Sequence, residues 1–83
     1  MIRQQLKDIM QKLFPEEKIV IDYVPKEKQG DYSTNIAFRI AAQKKMQPYE
    51  TAQEIASRIQ DPMIKSISVH KPAFINFTIN NNY

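Results

Sequence analysis

Phe74, Asn76, Lys71 and His70 are the residues of this chain whose types and spacing suit a defined chemistry. They lie in HKPAFINFTIN, residues 70–80, where alternation sends Ile75, Phe77 and Ile79 to one face of a strand and Phe74, Asn76 and Thr78 to the other. An aromatic ring with an amide two residues along, on one exposed strand face, suits a splayed-out RNA base: the ring stacks and the amide reads an edge. Lys71 at the turn, with Lys65 or His70 nearby, is placed to hold phosphates. The same pattern also describes a plain wet strand with one exposed phenylalanine and an ordinary surface histidine. Alternation alone does not separate the two.

Other chemistries find less support. No serine, histidine and acid are brought together by local spacing, and Glu16 with Glu17 or Glu50 with Glu54 read as solvated helix ends and faces, so no catalytic residue is assigned. With one histidine and no cysteine, neither a transition-metal site nor a disulfide scaffold is expected, and a reducing cytoplasm is compatible. Gly30 is the only glycine, too few for a phosphate-cradling loop, so no nucleotide cofactor is expected. No apolar run exceeds three residues, as in Ile19–Ile21, which predicts neither a membrane span nor a signal-peptide core. The net charge of +3 leans towards a polyanionic partner.

These residues must be positioned by a small set of elements. Ile2, Leu6, Ile9, Met10, Leu13 and Phe14 mark a first helix over 2–14, ended by Pro15. Lys18–Val24 reads as a strand with Ile19, Ile21 and Tyr23 on one face, closed by Pro25. After the polar PKEKQGD and a possible short strand near Tyr32, a second helix runs from Ser33 to Lys45, capped by Ser33 or Asp31 and carrying Ile36, Ala37, Ile40 and Ala41 as its apolar stripe. A third starts at Pro48 and continues to Asp61 with Tyr49, Ala52, Ile55, Ala56 and Ile59 in phase. Ile64–His70 and the strand after Lys71 and Pro72 form a closing hairpin. Its outer face takes Ser66, Ser68, His70, Phe74, Asn76 and Thr78. The expectation is an α+β, two-layer fold in α-β-β-α-α-β-β order, with helices packed on one face of a small antiparallel sheet. At 83 residues a single domain, 1–83, is expected.

The segment GDYSTNIA at the mouth of a helix, a second helix opened by proline after a lysine-rich break, and KPAFINF in a final hairpin together resemble the N-terminal additional domain of arginyl-tRNA synthetase. The resemblance covers nearly the whole chain. It implies a tRNA-binding domain, the N-terminal fragment of a longer cytoplasmic synthetase, that engages the D-loop corner of tRNA(Arg). Phe74 and Asn76 match the family's D-loop contacts; Lys71 and His70, placed at the turn by the strand pattern, are the further RNA-binding candidates beside them. ATP would be a substrate of the parent ligase, used by a catalytic domain absent from this chain; the chain itself would hold no cofactor and act as a monomer.

Two features depart from the family pattern. Lys71 and Ala73 flank the proline where bacterial members usually have glycine, which predicts a type I turn. The class I signature elements are missing, and NNNY falls about where the family continues towards its catalytic domain. A reading from another class is a free-standing module that binds a protein through its open sheet face or first helix. Salt dependence would discriminate, since phosphate contacts weaken with ionic strength and apolar ones do not.

Overall fold

A computed structural model describes residues 2–80, and its architecture follows from which side chains leave water. Helix α1, Ile2–Leu13, buries Leu6 and Met10 completely and half-buries Ile9 and Leu13, the stripe that its spacing predicts. Ile2, in phase with that stripe, is 41% exposed at the first residue of the helix. Beyond α1 the chain enters strand β1, Asp22–Tyr23, then β2, Tyr32–Thr34. Helices α2, Ile36–Lys44, and α3, Pro48–Ser57, follow, and β3, Ile64–His70, pairs with β4, Phe74–Ile79.

The sheet is antiparallel throughout and ordered β1-β2-β4-β3, so the last strand in sequence is inserted between β2 and β3. Phe77 faces Ile67 on one side and Tyr32 on the other, while Asn76 faces Ser68 and Ser33. Ile75, Phe77 and Ile79 therefore join the core with Leu6, Met10, Ile40, Ile55 and Met63. A bulge at Lys65 shifts the register between Ile64 and Ser66, letting Ile64 pair with Ile79 on the helix side. The α+β, two-layer architecture matches the expectation.

Four local expectations are corrected. The strand expected over Lys18–Val24 contracts to Asp22–Tyr23. Ile19 and Ile21 are buried as alternation requires, but the carbonyls of Lys18 and Ile21 accept from the guanidinium groups of Arg39, at 3.0 Å, and Arg3, at 2.7 Å, rather than from a neighbouring strand. Ser33 belongs to β2, and the second helix starts at Ile36 after Asn35. Asp31 is no helix cap: its Oδ2 accepts from the backbone N–H of Ile79 at 2.8 Å. The third helix ends at Ser57, where the N–H groups of Arg58 and Ile59 turn back to Ile55 and Ala56. In the hairpin turn the Lys71–Pro72 peptide is cis, in place of the type I turn expected there.

Candidate nucleic-acid interface

The sheet face opposite the core carries a groove of about 600 Å³ that unites the four residues singled out above. Phe74, Asn76, His70 and Lys71 line one side; Lys28, Gln29, Pro25 and Asp22, from β1 and the β1–β2 loop, line the other. Lys65, the other cation considered, lies at the far end of β3 and does not line it.

Phe74 is held as a partly supported platform. It pairs with His70 across the hairpin and leaves 40% of its surface exposed. One edge meets the Phe38 ring of α2, with centroids 5.5 Å apart and planes at 71°. That edge-to-face contact restrains the ring without covering it. Phe38 lies off the apolar stripe of Ile36, Ala37, Ile40 and Ala41. That off-stripe aromatic is the sequence signal that could have flagged it.

His70 and Lys71 occupy the rim. His70 Nε2 lies 2.9 Å from the Ser68 hydroxyl. The Lys71 ammonium sits 5.6 Å from the centroid of Tyr49, at the start of α3, a cation–π contact that tethers the lysine stem beside the groove. Periodicity assigns Tyr49 to the core stripe of its helix and gives no hint of this second contact. Lys28 adds a further cation on the opposite wall; as one charge in the polar PKEKQGD it carried no signal.

Asn76 stands differently from the wet-strand expectation. It is only 8% exposed, because the β1–β2 loop closes over it. Its Nδ2 donates to the Gln29 carbonyl at 2.8 Å, whereas its Oδ1 is buried with no hydrogen-bond partner. Gly30 makes this approach possible. Its φ is +105°, and a Cβ built there would stand 3.1 Å from the Asn76 Cβ, so a side chain would crowd the strand and strain the backbone. The N–H of Asp31 then bonds the Phe77 carbonyl at 2.8 Å, and its carboxylate holds the N–H of Ile79. Gln29, Gly30 and Asp31 form a clasp on β4, and Tyr32 continues into β2, the short strand expected near it.

A family model described as the arginyl tRNA synthetase N terminal domain matches residues 1–79. The chain belongs to that family. The arginine–tRNA ligase of Thermotoga petrophila is 38% identical over 82 residues, covering 96% of this chain and 15% of the relative. That of Methanosphaera stadtmanae is 37% identical over 81 residues, covering 95% and 14%. The solved arginyl-tRNA synthetase of Thermus thermophilus superposes with a TM-score of 0.81 over 99% of this chain and 14% of that one, at 24% identity, a likeness of fold. The chain thus spans about 15% of the length of its ligase relatives. Among its described residues no helix is long and apolar enough to cross a membrane.

Proposed function

We propose that this chain binds the D-loop corner of tRNA(Arg). As the N-terminal domain of a longer synthetase it helps to position that tRNA for ATP-dependent arginylation by a catalytic domain outside these residues. Phe74 stacks on an unpaired D-loop base, Asn76 bonds the base edge, and Lys71 with His70 contacts phosphate. The observation that carries this reading is the convergence of these four side chains on one groove, with the Phe74 ring restrained at one edge by Phe38 and the residue 40% exposed. A concave site with an aromatic platform and cations at its rim suits a single-stranded nucleotide. The ligase relatives, named for tRNA, support the choice of partner.

The test is tRNA binding by the full-length protein. Phe74→Ala should weaken affinity by about 1–3 kcal/mol, the usual worth of a base stacked on an aromatic. Lys71→Ala should weaken all tRNAs alike and lower the salt slope by about 1. Since the contact lies far from the chemistry, Michaelis constants for arginine and ATP should hold while the tRNA term suffers. Unchanged tRNA affinity in Phe74→Ala overturns the reading. Salt-insensitive capture of a protein would then favour the interaction-module alternative.

A further inference from the structure

The two ends of the Asn76 amide have different fates. A carbonyl oxygen only accepts, so the end of the amide facing the Gln29 carbonyl at 2.8 Å is necessarily Nδ2. That fixes Oδ1 as the other end. Oδ1 is buried and bonds nothing within the protein, although the residue lines the groove. An amide without this tie could rotate by half a turn and serve either a donor or an acceptor. Here rotation would set the Oδ1 lone pairs against the Gln29 carbonyl.

We infer that the Gln29 carbonyl, brought close by Gly30, turns Asn76 into an acceptor for the groove, so that the site selects a base presenting an N–H donor to Oδ1. This rests on the proposed D-loop reading and adds the polarity of the recognised edge. Gln29 and Gly30 are positioning residues; Asn76 makes the contact. Leaving a buried acceptor unsatisfied has a cost that a bound N–H donor removes, whereas a base with only acceptors there leaves it unpaired and adds lone-pair repulsion. The donor must replace part of the cover over Oδ1. Lys28, Gln29 and Asn35 are exposed side chains that line the same groove.

The probe is a set of tRNA(Arg) transcripts in which each unpaired D-loop base in turn is replaced by unsubstituted purine or by pyrimidin-2-one, which stack but carry no N–H donor on the base-pairing edge. With the unmodified full-length protein, one position should lose about tenfold in affinity, the scale of one buried hydrogen bond. In Asn76→Ala the same substitution should make no difference, because the acceptor is gone. If no donor-less base weakens binding while Phe74→Ala still does, the polarity inference falls and the stacking site stands. If neither has any effect, the D-loop reading falls with it. A donor-less penalty that persists in Asn76→Ala assigns the reading to another residue and also overturns the inference.

Discussion

The register of β4 separates two phenylalanines of identical chemistry, and their truncation should separate them in stability. Phe77 is fully buried, flanked by Ile67 and Tyr32 on neighbouring strands. Phe→Ala in such a place combines lost transfer energy with an unfilled cavity, about 3–5 kcal/mol. Phe74 keeps 40% of its surface in water and meets the Phe38 ring edge-on. Its partial burial and edge contact together amount to about 1–2 kcal/mol. A domain of this size has a total stability of roughly 4–12 kcal/mol, so Phe74→Ala stays folded and Phe77→Ala approaches the limit. Urea melts followed by circular dichroism give the comparison. Phe77→Leu, expected to lose about 1–2 kcal/mol, provides a measurable variant should Phe77→Ala be unfolded without denaturant. Equal losses in the two alanine variants, or a larger one at Phe74, would mean that the strand presents its faces the other way. The groove assignment would fall too.

Gly30→Ala should lose about 1–3 kcal/mol in the same melts, combining a left-handed backbone with a Cβ 3.1 Å from that of Asn76; an unchanged midpoint would mean that the clasp does not close as described. Lys45 ends α2 with φ 56° and ψ 44°, so Lys45→Gly should stabilise the chain by up to about 1 kcal/mol, read as a higher melting temperature. Asp31→Ala removes the acceptor for the Ile79 N–H and should lower stability by about 1–2 kcal/mol, with earlier exchange of that amide in hydrogen-exchange NMR. Slow exchange persisting at Ile79 would refute the clasp.

What was legible in the sequence was what period and burial dictate. The 2-residue period of residues 64–79 gave both faces of the hairpin, because one face meets the core and a one-residue slip would expose Ile75, Phe77 and Ile79 together. The helices followed from their apolar stripes and from Pro48. What escaped was set by contacts distant in sequence. The backbone of Lys18–Ile21 looks like a strand by composition, yet Arg3 and Arg39 from two helices take its carbonyls. Asp31 resembles a helix cap locally, but its partner, Ile79, is 48 residues away. Likewise, Asn76 sits at a position that alternation calls exposed, and a loop 47 residues earlier covers it. The candidate residues were found as types on a face; the support from Phe38, Tyr49 and Gln29 needed the tertiary fold.

On the proposed reading, the placement of Asn76 ties base binding to the loop as well as to the strand. β4 is an interior strand, hydrogen-bonded on both edges, so Phe74 and Asn76 stand on a backbone that cannot shift without breaking two ladders. The clasp is different: it is a loop of exposed side chains attached to that strand through Asn76 and Asp31. Any ligand that engages Oδ1 while leaving Nδ2 on Gln29 strengthens the environment of that attachment. A ligand that pulls the amide round must break it and expose the Gln29 carbonyl. The two outcomes differ by at least one hydrogen bond, about 1 kcal/mol. If Asn76 reads a base as proposed, discrimination between base edges and ordering of the Gln29–Asp31 segment are linked quantities. A base of the right polarity should slow amide exchange in that segment, and one of the wrong polarity should not.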